Sequence, residues 1–98
     1  MVSQLRIYTI NRDMMGSWLK LFHEHIEPNH EKYGISIEGS WVNEDRTEFI
    51  WMRNFDSVEA IQPKEAQYYG SPERKALGDQ PQTHIAKIEV RIIEPTNS

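Results

Sequence analysis

The stretch Phe49-Ile50-Trp51-Met52-Arg53-Asn54-Phe55-Asp56-Ser57 constrains the fold more than any other part of the chain. From Phe49 to Asn54 the residues are mostly large or β-branched, as a strand prefers, and successive side chains of a strand point to opposite faces. One face then carries Phe49, Trp51 and Arg53, and the other Ile50 and Met52. Asp56-Ser57 offers an N-cap oxygen, with Glu59 and Ala60 in the first turn of a following helix. A strand thus runs straight into a helix. Its wholly apolar face, Ile50 and Met52, is expected to pack on helices. Its mixed face is expected to look at water, a ligand or a second subunit.

The same two periodicities order the rest of the chain. Leu5 to Ile10 alternates as a first strand, with Leu5, Ile7 and Thr9 on one side and Arg6, Tyr8 and Ile10 on the other. Asn11-Arg12-Asp13 supplies cap chemistry, and Met14, Trp18, Leu21, Phe22, His25 and Ile26 then form a helical stripe. Pro28 lacks an amide donor and predicts a kink or break, and Gly34 ends the element. Ile35 to Val42 alternates again, and Asn43 to Arg46 is a polar hairpin connection. The second helix carries Val58 and Ile61 and is expected to be interrupted at Pro63. Gly70-Ser71-Pro72 is a turn, with Ser71 capping a short helix to Leu77. Thr83 to Glu94 is the last strand, followed by a polar tail.

The order strand–helix–strand–strand–helix–strand is that of the ferredoxin-like α+β fold, an antiparallel four-stranded sheet with both helices on one face. At 98 residues the chain is one domain, 1–98, and 38 % hydrophobic with 27 % charged residues is globular composition. A net charge of −4 argues against a nucleic-acid binder that works by neutralising phosphate. With no cysteine there is no thiolate chemistry. No signal peptide or membrane-spanning run is present, so a cytoplasmic location is the default. The uncovered sheet face predicts a two-fold homodimer.

Several pieces carry a family likeness: Leu5-Arg6-Ile7-Tyr8-Thr9, the helix running to Pro28, Gly34 and Gly39 before Trp41, and above all Phe49 to Phe55. Tyr68-Tyr69-Gly70-Ser71-Pro72 is similar to an aromatic-Tyr-Gly-x-Pro turn of bacterial members. In this order the chain resembles the NIPSNAP family of the dimeric α+β barrel superfamily over most of its length. It departs from the pattern at Ala60 and Ile61, where an Arg is often seen, and at Arg74, where a Trp commonly follows the turn. The resemblance implies a homodimer whose two sheets form a barrel around a cavity. It implies no single reaction, because the wider superfamily holds cofactor-independent monooxygenases, isomerases, polyketide cyclases and binders of unknown ligand.

If the apolar faces pack on helices, the remaining faces point together into that barrel. They carry Arg6, Tyr8, Glu38, Ser40, Phe49, Trp51, Arg53, Lys87, Glu89 and Arg91, four cations against two carboxylates. The pattern suggests a partly aromatic pocket for a small acidic or carbonyl compound. Arg6 and Arg53 would clamp the anion through their two-pronged donors, Tyr8 would donate or orient a proton, and Glu38 would be a base if desolvated. The competing expectation is that Arg6, Arg53 and Glu38 are ion pairs across a dimer interface, and that the dimer is purely structural. The histidines do not converge as metal ligands. His23 and His25 point apart by roughly 200° on a helix, His25 falls on the apolar stripe, and His84 is expected on the helix side. The Met14, Trp18 and Phe22 stripe is core. Neither a metal nor a cofactor is expected, and the expected partners are a second copy and a small molecule, with no nucleic acid and no membrane.

Overall fold

The computed structural model describes residues 1–96, so the last two residues of the expected tail lie outside it. Its elements are β1 (Val2–Ile10), α1 (Met15–Leu21), a π-helical turn (Phe22–Ile26), α2 (Glu27–Lys32), β2 (Ser36–Val42), β3 (Glu48–Phe55), α3 (Val58–Tyr69), α4 (Pro72–Ala76), α5 (Gln80–His84) and β4 (Ile85–Ile93). The strands form one antiparallel sheet in the order β2-β3-β1-β4. This is the ferredoxin-like order, with the helices on one face.

The phase of the strands corrects the sequence reading. Along β3 the buried residues are Phe49, Trp51, Arg53 and Phe55, and along β1 they include Gln4, Tyr8 and Ile10. Tyr8, Phe49 and Trp51 cluster with Trp18, Leu21, Phe22 and Ile26 from the helices. The helix-covered face is therefore the mixed one. Ile50 and Met52 look away from the helices, across the sheet from Ile7 and Leu5, and all four are only partly covered. The physical reason lies in pairing. An arginine is excluded from a core only while its donors lack partners, and here the neighbouring elements supply them.

Aromatic packing ties this face together. The Phe22 ring meets Phe49 at 4.7 Å and Trp51 at 5.2 Å between centroids, and Trp18 meets Phe49 at 5.5 Å. Each such edge-on pair adds about 0.5–1.5 kcal/mol beyond the burial itself.

Pro28 does not break the first helix. The π-helical turn Phe22–Ile26 precedes it, and α2 continues with the proline near its start. The turn also sets the phase of the buried face, whose residues Trp18, Phe22, Ile26 and His30 are spaced by four. At 3.6 residues per turn that spacing drifts by roughly 40° per step, so His30 would stand roughly 120° from Trp18. The extra residue of an i→i+5 turn takes back roughly 100° of this. His30 thus lands on the sheet, and His25, expected on the stripe, is exposed. Gly34, at φ +75°, ends α2 as expected, with Ile35 N–H donating to His30 O at 2.9 Å.

Other expectations change in detail. The Asn11 side chain donates to Thr83 O instead of capping α1, and Ser57 precedes α3 without a side-chain cap. α3 runs unbroken through Pro63, because Pro63 and Glu59 are both exposed and water can take the freed carbonyl. The residues from Gln80 to His84 form a helical turn, so the last strand starts at Ile85. Ser71 does cap α4, accepting from Arg74 N–H at 3.2 Å.

Candidate functional site

Beneath the helices, an open-ended cleft of ≈ 110 Å³ lies against β1 and β3. Its floor is Arg6, Tyr8 and Trp51 from the sheet. Trp18, Ile26 and His30 form one wall, and Tyr68, Tyr69 and Arg74 the other. Pro81, Gln82, Ile85 and Ile88 border the mouth. A wider hollow of ≈ 370 Å³ between the β1–α1 turn and the β2–β3 hairpin is lined by Arg12, Asp13, Asp45 and Arg46. It has no unpartnered buried donor among the described residues.

Of the residues singled out in the sequence, Arg6, Tyr8, Phe49, Trp51 and Arg53 come together on the helix side of the sheet, not between two sheets. Glu38 does not join them. A register irregularity between Ile37 and Gly39 puts Glu38 out of step, a β-bulge of the kind that re-aims a side chain. It is exposed and accepts from Asn54 Nδ2 at 3.3 Å. Lys87, Glu89 and Arg91 pair with Thr9, Ile7 and Leu5 on the open face.

Behind the floor sits a buried polar network. The fully buried Arg53 donates to Gln4 Oε1 from Nε at 3.0 Å, and its Nη2 reaches both Gln4 Oε1 and Glu65 Oε2. Its Nη1 lies 3.1 Å from His30 Nε2. Geometry fixes the histidine tautomer. His30 Nδ1 is 2.8 Å from Ile26 O, a pure acceptor, so Nδ1 carries the proton and Nε2 accepts from Arg53. Burial pushes the His30 pKa down to about 4, and the Arg53 and Arg6 charges add to the effect.

This sets a pH dependence. The unfolded histidine titrates near its ordinary value and the folded one at about 4. Stability is therefore complete above about pH 6.5 and is lost as pH falls through 4, by about 3 kcal/mol in all. Urea unfolding at pH 7 and pH 4.5 should show this loss, and a His30→Gln variant, which keeps an acceptor but cannot titrate, should show a shallower one.

Arg6 is the network's face toward the cleft. Its Nε donates to the Tyr8 hydroxyl at 2.8 Å and its Nη1 to Gln4 Oε1 at 3.0 Å, with Glu65 Oε2 at 3.6 Å. Nη2 has no hydrogen-bond partner among the described residues. Burial raises the Tyr8 phenol above its ordinary value against the pull of Arg6, so the hydroxyl keeps its proton. Having accepted from Arg6, it still has that proton to give. The Trp18 and Trp51 indole N–H groups are buried and have no partner among the described residues. Burial also pushes Tyr68 up to about 12. The cleft is thus aromatic-walled, with Arg6 Nη2 and the Tyr8 hydroxyl proton uncommitted among the described residues. Around it, Glu65 pairs with Arg53 and lies near Arg6, while Arg74 has no carboxylate within ion-pair distance among the described residues. At least three of its features escaped the sequence: Gln4, Glu65 and the buried His30.

A family model described as NIPSNAP matches residues 3–98. This chain belongs to the NIPSNAP family. Solved NIPSNAP structures share its fold. An uncharacterized NIPSNAP domain protein from Burkholderia xenovorans is 15% identical, with TM-score 0.89, covering 99% of this chain and 96% of that one. A NIPSNAP family protein from Agrobacterium tumefaciens is 22% identical, with TM-score 0.90, covering 98% and 86%. Beyond the NIPSNAP proteins, an antibiotic biosynthesis monooxygenase is similar at TM-score 0.72 and 11% identity, covering 98% and 99%. At these identities the likeness is one of fold. No curated protein matches the chain.

For this NIPSNAP chain, no helix among the described residues is long and apolar enough to cross a membrane. Nor do the described residues gather three or more histidine or carboxylate side chains as metal ligands.

Proposed function

We propose that this NIPSNAP protein binds a small acidic or carbonyl compound in the cleft between its own sheet and helices. The observation that carries the reading is the aromatic-walled cleft whose floor holds the uncommitted Nη2 of Arg6 and the Tyr8 hydroxyl proton. A buried donor left unsatisfied costs about 1–3 kcal/mol, which an acceptor oxygen of a ligand would recover. The open prong of Arg6 and the Tyr8 proton favour the same oxygen. At ≈ 110 Å³ the cleft is smaller than the cavity of about 150 Å³ that encloses a benzene ring, so a ring-bearing ligand extends out of its open end. Titration with benzoate and with benzylamine tests this. Benzoate should bind saturably and benzylamine should not; equal binding, or none of either, would refute the reading.

A catalytic role, such as cofactor-independent oxygenation or isomerisation, has less support. His30, the histidine in the cleft wall, has both ring nitrogens committed, and Glu38 is on the other face. Tyr8 alone among the proposed catalytic residues is placed to move a proton.

The protein acts as a homodimer in this reading, through the open sheet face. Leu5, Ile7, Ile50 and Met52 form an aliphatic strip there, beside Trp41 at 51% exposure. Such a patch favours burial against a copy of itself. Ile50→Lys should convert the dimer to a folded monomer in light scattering, because the helix-side core is untouched. A wild-type monomer in dilute solution would contradict the assembly.

A further inference from the structure

We infer that Arg74 recognises a second acidic group on the ligand, so that the cleft takes a short dianion in preference to a monoanion. This rests on the binding reading above and narrows its substrate class. Arg74 lines the same ≈ 110 Å³ cleft as Arg6. Arg6 comes from the sheet floor, whereas Arg74 comes from α4 on the helical side, so a ligand in the cleft meets a cation from each. The Arg74 guanidinium is not loose. Its Nη1 donates to Gly78 O at 3.0 Å, and its carbon stands 6.0 Å from the centre of the Tyr69 ring. Those contacts fix the plane of the fork and leave Nε and Nη2 without a partner among the described residues.

Nor is its charge answered. Among the described residues no carboxylate lies within ion-pair distance of Arg74. The adjacent carboxylate, Glu73, is held by Lys32 and by the Tyr33 hydroxyl, which keep its pKa down at about 2. Glu65, the carboxylate of the buried network, is bound to Arg53 and leans on Arg6. Two guanidiniums therefore bracket an aromatic-walled cleft with their other neighbours engaged. A fork of this kind pairs best with a carboxylate, through two parallel N–H···O bonds. The ligand class is a compact ring or short chain that carries a carboxylate at each end.

The experiment compares benzoate with phthalate, isophthalate and terephthalate, which hold a second carboxylate at three spacings. In the wild type at least one dicarboxylate should bind tenfold or more tighter than benzoate. Arg74→Met should collapse that preference, weakening the best dicarboxylate at least ten times more than it weakens benzoate. Benzoate binding in the variant also reports that it is folded. If benzoate binds but no dicarboxylate exceeds it, or if Arg74→Met weakens both equally, the inference is overturned while the binding reading stands. If neither benzoate nor any dicarboxylate binds, both fall.

Discussion

Replacing Arg53 with methionine should cost about 3–5 kcal/mol of stability, the range for breaking a buried ion pair from one side. Methionine replaces the arginine stem but not its head, so the space left by the guanidinium adds to the electrostatic loss. What it leaves behind is Glu65 without its main cation, His30 Nε2 without a donor, and Gln4 Oε1 held by Arg6 alone. A domain of this size has about 5–15 kcal/mol in total. The melting temperature should therefore fall by about 15 °C or more. Urea denaturation measures it. A double variant, Arg53→Met with Glu65→Met, should recover part of the loss, since an apolar pair can replace a buried ionic one at little cost. A single-variant cost under about 1 kcal/mol would mean that the network is not what seats the arginine in the core.

Arg6→Met should act on binding instead. Arg6 lines the cleft where Arg53 does not, and one prong of its fork is uncommitted. Truncating one side of a buried, hydrogen-bonded charge pair costs about 2–5 kcal/mol of affinity. Benzoate should then bind at least about thirtyfold more weakly. Arg6→Lys should fall between, because it keeps the charge and loses the fork. Gln4 retains its bonds from Arg53, so the variant should stay folded. The measurement is a calorimetric titration of each variant, with urea unfolding alongside. Unchanged benzoate affinity in Arg6→Met would remove Arg6 from the site.

The contrast between the two arginines shows where the sequence was legible. Alternation in Leu5 to Ile10 and in Phe49 to Asn54 located the strands, and the turn at Gly34 and the cap at Ser71 ended and began helices as their chemistry requires. The constellation Arg6, Tyr8, Trp51 and Arg53 was also visible, because one strand phase carries it. What could not be read was which phase faces the helices. Polarity argued that the arginine face was open, yet Gln4, His30 and Glu65 satisfy it, and each comes from a different element. Nothing in local spacing links Glu65 to Arg53. His30 was hidden for a second reason: the π-helical turn before Pro28 restores a phase that an ideal helix would have lost. Glu38 was misplaced by a bulge, which alternation cannot show.

We place the ligand in the cleft under the helices, and the three tryptophans of the chain report on it separately. Trp18 and Trp51 line the cleft, and Trp41 is exposed on the opposite face of the sheet. The most direct measurement follows the three indole N–H signals by nuclear magnetic resonance during a benzoate titration. The Trp18 and Trp51 signals should move together and saturate, while Trp41 stays in place. Movement of Trp41 alone would put the ligand between the sheets and contradict the account.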